Sequence, residues 1–266
     1  MSARAADEAA RARAWVHDSQ AAVCDVIEPW EHGTVVRATR YPSYWDYNLV
    51  RVEDDAPIGA DELVRFADEA LAGLAHRRVG FEVVSAGEPI RGDLEALGWK
   101  VTRLVWMLHA GPAPAAGGLD VEQVHYDAVR HLRVAWHAED FPGVEITAEH
   151  LNEARDLEMH RNPQVFAAFE QDRPVAFAQL ERAGDTAEIS SVYVDRDHRG
   201  RGIGTALTQA AIAAASELSD LWIVADDDGR AKQIYARLGF RPVWKLLDCL
   251  RLPPPGAASG RTGSSE

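Results

Sequence analysis

From Ile203 onward, apolar side chains return at Ala206, Leu207, Ala210, Ala211, Ala214 and Leu218, the spacing that keeps one face of a helix dry. The stretches before it have a different rhythm. Gln164–Phe169 and Val175–Glu181 read as two strands joined by the polar turn "EQDRP", and Ala187–Val194 reads as a third. Further upstream, Leu119–Val124 predicts a strand and Tyr126–Trp136 a helix. The loop "HAEDFPGVEI" follows, and then a helix capped by Thr147 runs to about His160. Downstream, "LWIVA" is a buried strand, Arg230–Leu238 a short helix stopped by Gly239, and Phe240–Leu252 the closing strand or strands. The order over Leu119–Leu252 is β-α-α-β-β-β-α-β-α-β.

The first hundred residues repeat part of this plan. Residues 4–27 predict an alanine-rich helix, "YNLVRV" a strand, "ADELVRFADEALAGL" an amphipathic helix and "VGFEVV" a strand. "LEALGWKVTRLVWMLHA" then aligns with "YARLGFRPVWKLLDCLRL", setting Leu97-Gly98-Trp99 against Leu238-Gly239-Phe240. Between the halves lies "AGPAPAAGGLD", a run of small residues with the composition of an exposed linker. The tail from Pro253 has almost nothing to bury and is expected to be disordered. The expected organisation is a first domain over 1–110, a linker over 111–118, a second domain over 119–252 and a tail over 253–266. The fold class is α/β, with a mixed, mostly antiparallel sheet flanked by helices in each domain.

Charge and composition narrow the function. The net charge of −14 opposes binding to nucleic acid, whose phosphates it would repel. The sequence has no run of 18 apolar residues, so no membrane span is expected. Its opening residues lack the apolar core of a signal peptide, which leaves a cytoplasmic location as the expectation. Cys24 and Cys249 stand far apart with no partners at metal or redox spacing, and read as small buried hydrophobes. His125, His131 and His137 are spaced by six, which does not stack them as metal ligands on a helix, and no metal is expected.

Candidate chemistry concentrates in "VDRDHRGRGIGTAL", Val194–Leu207, between a strand and a helix. Glycines let an anion approach the backbone, and the first N–H groups of a helix lack internal partners and carry partial positive charge. Arg199 and Arg201 offer charge-assisted contacts. A Walker-type loop is excluded because no Gly-Lys-Ser/Thr occurs here. A dinucleotide fingerprint fails because Leu207 stands where its third glycine belongs.

Arg199-x-x-Gly202-x-Gly204 after the strand "SVYV", followed by "DGRAKQIYARLGF", resembles the two motifs of the GNAT superfamily, the Gcn5-related N-acetyltransferases, in the family's order. The resemblance covers about Leu119–Leu252, with Arg196 where proline is common and Asp228 where asparagine is common. It implies acetyl transfer from acetyl-CoA, as cosubstrate, to an amine. It further implies cofactor contacts from the backbone of Val192, Tyr193 and Val194, the loop Arg199, Gly200, Arg201, Gly202, Ile203, Gly204 and Thr205, and Asp228, which retains the capacity to cap the following helix. Tyr235 takes the place of the family's tyrosine, the acid that meets the leaving thiolate. The N–H of Val192 is the candidate oxyanion donor. Glu188 is the candidate base, with a structural role as the alternative; strand alternation sets Glu188, Ser190 and Val192 on one face. Glu139 and Asp140 lie where family members contact the acceptor, and His137 has a suitable ordinary pKa.

In the first half the matching loop reads "DDAPIG". Asp54 and Asp55 repel phosphate, Pro57 removes an N–H donor, and Leu94 stands opposite Tyr235. This half is expected to be a degenerate copy in a tandem protein, covering the active copy and closing its acceptor cleft. The aromatic cluster "YPSYWDYN" with Trp30 is either core or pocket lining. The partners expected are acetyl-CoA and an amine acceptor, with the chain a monomer or homodimer. The competing reading is a non-catalytic acyl-CoA sensor or scaffold.

Overall fold

In the computed structural model the described residues are 3–112, 119–144 and 146–252. The elements of the first half are α1 (Ala3–Ala21), β1 (Val26–Trp30), β2 (Gly33–Arg37), β3 (Asn48–Val52), α2 (Ala60–Ala70), β4 (Arg77–Phe81), α3 (Val84–Gly87), α4 (Arg91–Ala96) and β5 (Lys100–His109). The second half supplies β6 (Val121–Val124), α5 (Arg130–Asp140), α6 (Ala148–Arg161), β7 (Gln164–Glu170), β8 (Arg173–Ala183), β9 (Thr186–Val194), α7 (Ile203–Ala214), β10 (Asp220–Asp226), α8 (Arg230–Arg237) and β11 (Phe240–Arg251).

The second half follows the order read from its periodicity. Its main local departures are in α5, which starts after a short 3-10 turn at Tyr126–Val129 and runs on to Asp140. Residues expected in the following loop are therefore helical. In the first half, the predicted helix over 4–27 stops at Ala21 because a hairpin, β1–β2, takes over at Val26. The Pro253 tail and most of the expected linker lie outside the described residues.

Of the described residues, 3–17, 103–142 and 146–245 form one compact unit, and 18–102, 143–144 and 246–252 form the other. This division falls elsewhere than at residues 111–118. The reason is a strand exchange between the halves. In the first unit the neighbour of β10 is β5, antiparallel, with Val224 against Trp106. In the second unit the neighbour of β4 is the end of β11, with Cys249 against Val79.

Within the first unit the sheet runs β5-β10-β9-β8-β7-β6, antiparallel throughout except for the β10–β9 pair. One face packs under α7 and α8 through Val105, Ile189, Leu207, Ile223 and Tyr235, and the other packs under α5 through Leu132, Val165, Phe177 and Tyr193. The second unit holds β1-β2-β3-β4-β11, with β3 and β4 parallel, over a core of Leu63, Phe81, Leu94, Trp99 and Cys249. Gly98 at φ +81° and Gly239 at φ +93° each end a helix and deliver an aromatic residue, Trp99 or Phe240, into its own core. Cys24 and Cys249 are buried free thiols, and burial pushes the Cys24 thiol up to about 12. Among the described residues, no helix is long and apolar enough to cross a membrane.

Candidate active site

β9 and β10 are paired in parallel only from Thr186–Ile189 against Asp220–Ile223. Beyond Ile189 they part, and the reason is local. Ser191 has φ +57°, a left-handed backbone rare for a side chain with a Cβ. The β8–β9 register slips there: Gln179 faces Ser190 while Phe177 faces Tyr193, so Ser191 and Val192 share one partner position. The bulge also corrects the strand reading. Val192 turns onto the Ile189 face toward α7, whereas Tyr193 packs on the α5 face with Phe177. Glu188, Ser190 and Val192 therefore do not share a face, because the extra residue inverts the alternation.

A cleft of about 680 Å³ opens where the strands part. Its walls include Val192, Tyr193 and Val194 of β9, Arg199, Gly200, Gly202, Ile203, Gly204 and Thr205 of the loop and α7, and Tyr235 of α8. Gly202 caps α7 with φ +81°, and its carbonyl accepts the Ala206 N–H at 3.0 Å. The first N–H groups of α7, on residues that line the cleft, have no partner within the helix. Gly200 and Gly202 both hold left-handed φ values, and a Cβ at either would meet nothing within 4 Å. Their side-chain-free backbone leaves the loop open to a bulky anion.

The two loop arginines behave differently from the sequence expectation. Arg199 donates from Nε to the Val194 carbonyl at 2.9 Å and pairs with Glu139 Oε2 at 2.5 Å, its guanidinium lying over the Tyr193 ring. Arg201 is held by Glu170 at 3.1 Å and is not among the residues that line the cleft. Both are thus engaged with protein groups. Arg230 and Arg237, which sequence reasoning passed over, line the cleft and show no partner among the described residues. Their signal was the i, i+4, i+7 stripe Arg230–Ile234–Arg237 on α8.

Tyr235 is buried, and its hydroxyl has no hydrogen-bond partner among the described residues although the residue lines the cleft. Burial pushes its pKa up to about 12. Glu139 also lines the cleft and accepts the Tyr193 hydroxyl at 2.8 Å. Burial works to raise the Glu139 pKa, but the bonds from Arg199 and Tyr193 outweigh it and hold the carboxyl below its usual range. Burial and that carboxylate together push Tyr193 far above an ordinary phenol.

Other expected residues fall outside the cleft walls. Glu188 accepts a hydrogen bond from Trp15 Nε1 at 2.7 Å. Asp228 is exposed, pairs with Arg103 at 3.3 Å, and does not cap α8; Gly229 holds that position. Asp226 instead bonds the Asp228 N–H. His137 does not keep an ordinary imidazole pKa. Burial and the neighbouring His150 push it to about 4.

The parallel pair β9–β10 thus splays open above a glycine-rich helix start in an α/β domain. Residues 130–240 match the acetyltransferase (GNAT) family, and the chain carries an acetyltransferase domain of that family. Acetyl transfer is the activity that the family supports. An uncharacterized N-acetyltransferase of Methanocaldococcus jannaschii is 45% identical over 72 residues, covering 26% of this chain and 31% of that protein. A functionally unknown conserved protein from Staphylococcus epidermidis superimposes with TM-score 0.66 at 16% identity, covering 87% of this chain and 95% of that one. A GCN5-related N-acetyltransferase from Sphaerobacter thermophilus gives TM-score 0.52 at 16% identity, covering 74% and 69%. These two likenesses concern the fold.

Proposed function

We propose that this chain transfers an acetyl group from acetyl-CoA to a primary amine. The observation that carries the reading is the meeting, in one cleft, of a splayed strand edge, N–H groups at the start of α7 without a partner in the helix, and a buried tyrosine hydroxyl without a partner among the described residues. The residues present fit the cosubstrate. Gly202, Ile203, Gly204 and Thr205 would hold the pyrophosphate through backbone N–H groups, helped by the helix dipole. The backbone of Val192–Val194, unpaired on the β10 side, would take the pantetheine arm as a strand edge takes another strand.

The bound cosubstrate supplies an activated thioester. The chain supplies orientation, electrostatics and proton handling. The Val192 N–H donates to the carbonyl oxygen as charge gathers on it. Tyr235 donates a hydrogen bond to the departing sulfur; with its pKa at about 12 it acts chiefly as a donor rather than as a source of a fully transferred proton. Glu188, which lies outside the cleft walls, takes the proton from the amine through an intervening water. Arg199 already balances Glu139, and Arg199, Arg230 and Arg237 outweigh Glu139 and Asp140 in the cleft lining, a charge balance that suits an anionic cosubstrate. In this reading the second unit is a degenerate copy, since the carboxylates Asp54, Asp55, Asp61 and Glu62 precede and begin α2 where the first unit has glycines.

The test is calorimetry with CoA followed by release of free thiol from acetyl-CoA across a panel of primary amines. Binding with amine-dependent thiol release is expected. Binding without turnover on any amine would favour the sensor reading, and no binding would remove the assignment of the cleft.

A further inference from the structure

The bulge at Ser191 is a strained point in an otherwise regular strand, and a built structure holds it. Arg133 of α5 donates from Nη1 to Ser191 Oγ at 2.9 Å and from Nη2 to Glu158 Oε1 at 3.3 Å. Glu158 of α6, only 4% exposed, accepts from Gln179 Nε2 on β8 at 2.7 Å through its other oxygen. Gln179 is fully buried and sits opposite Ser190, on the strand against which the bulge forms. One guanidinium and one buried carboxylate therefore tie both sides of the bulge, β8 and β9, to two helices. Burial raises the Glu158 pKa while Arg133 opposes the rise. The Arg133–Glu158 pair lies in the interior beside the one non-glycine residue of β9 that has left-handed φ.

An ordinary core needs no such arrangement. Two apolar side chains of similar volume would pack the same space without the desolvation of two charges. What the pair adds is direction: it fixes the Ser191 hydroxyl, and through it the φ that separates β9 from β10. We infer that Arg133 is a positioning residue that, backed by Glu158 and Gln179, props Ser191 in the left-handed conformation and so turns the Val192–Val194 backbone edge into the cleft. Arg133 is not among the residues lining the cleft; it reaches the cleft through Ser191 and by lying over the ring of Trp136, a lining residue, at 5.6 Å. The consequence for cosubstrate binding rests on the proposed function; the backbone role does not.

The test is a cycle between Arg133→Ala and Ser191→Gly, read in two ways. The first readout is the backbone amide shifts of Val192, Tyr193 and Val194 by NMR in the full chain; the second is the Kd for CoA. Without its prop, a serine in left-handed backbone is disfavoured by about tenfold or more, so Arg133→Ala should shift those amides and weaken CoA by about that factor. Glycine adopts the same φ freely, so adding Ser191→Gly should return both readouts most of the way to wild type. A merely structural arginine would give no such rescue: additive losses in the double variant overturn the inference, as do unmoved amides in a folded Arg133→Ala. Should wild type bind no CoA, the proposed function fails while the amide readout still decides the role of Arg133.

Discussion

Trp15 donates its indole N–H to Glu188 at 2.7 Å, joining the first helix of the chain to the strand that borders the cleft. Glu188 is the carboxylate proposed as base, and the bond fixes one of its oxygens. Glu188→Gln keeps an acceptor for Trp15 and removes the capacity to take a proton. Under the proposal, kcat with an accepting amine falls by about 100-fold or more and the acidic limb of the pH–rate profile disappears. Wild-type kcat and profile in Glu188→Gln would make the residue structural.

Tyr235→Phe separates chemistry from packing. The hydroxyl has no partner to lose among the described residues, and the ring packs edge-on against Phe240 at 6.2 Å, a contact that phenylalanine keeps. Stability and CoA affinity should stay near wild type while kcat falls by ~10²-fold, the low end for an acid in an open cleft. With the hydroxyl pKa at about 12, no rise or fall of activity between pH 6 and 10 should trace to Tyr235 ionisation. An unchanged kcat would mean that the thiolate leaves unassisted.

Asp227 anchors the turn ahead of α8. Its carboxylate is 3% exposed and meets Lys232 at 2.6 Å, Lys245 at 2.8 Å and Arg103 at 2.8 Å. Burial alone would raise its pKa, but the bonds from Lys232 and Lys245 prevail and hold it at about 2. The folded value lies below the ordinary 3.8, so the stabilisation is present above about pH 4 and is lost as pH falls toward 2. Asp227→Asn should lower stability by about 2 kcal/mol, less than for a fully buried pair because the cations are partly solvated. It should also flatten the dependence of the urea midpoint on pH between 4 and 2. A midpoint that keeps its wild-type pH slope would place the acid sensitivity elsewhere.

The element order of the second half was legible because periods of two and 3.6 survive wherever one face of an element is dry. Thr147, expected to cap α6, does accept the His150 N–H at 3.1 Å. The bulge was not legible. Nothing in "ISSV" marks Ser191 as left-handed, since its φ is imposed by Arg133 and Glu158 from helices far away in sequence. Nor was the strand exchange, because β5 and β11 each follow a helix and a glycine, Gly98 or Gly239, and their sequences do not say which sheet each joins. That the loop needs glycines ahead of α7 was readable, and Gly200 and Gly202 both hold left-handed φ. The engagement of Arg199 by Glu139 was not, because it depends on where the end of α5 falls.

The two halves should differ in ligand capacity. α2 begins after Gly59 with Asp61 and Glu62 in its first turn, and Asp54 accepts the Ala56 N–H and pairs with His32 at 3.2 Å. Carboxylates at a helix start compete with and repel an incoming phosphate. Titration should reach one CoA per chain, and a second equivalent of comparable affinity would show that the first half retains a site.

Gly202 tests the phosphate loop by two substitutions with different physics. The position has open space for a Cβ, so no neighbour is struck, but its φ of +81° is disfavoured for any L side chain. Gly202→Ala therefore costs about 1–2 kcal/mol of backbone strain, felt as lower stability or as a loop that leaves its cradle geometry. CoA affinity should drop by about tenfold. Gly202→Asp carries the same strain and adds a carboxylate at the N-cap of α7. An aspartate there is a favourable helix cap, and its oxygen can take the N–H groups that a phosphate would need. The aspartate variant should thus be no less stable than the alanine variant, yet bind CoA far more weakly. Stability and affinity moving in opposite directions between the two variants is the signature of an anion site. Equal affinities in Gly202→Ala and Gly202→Asp, measured by calorimetry on folded protein, would mean that no phosphate sits at the start of α7.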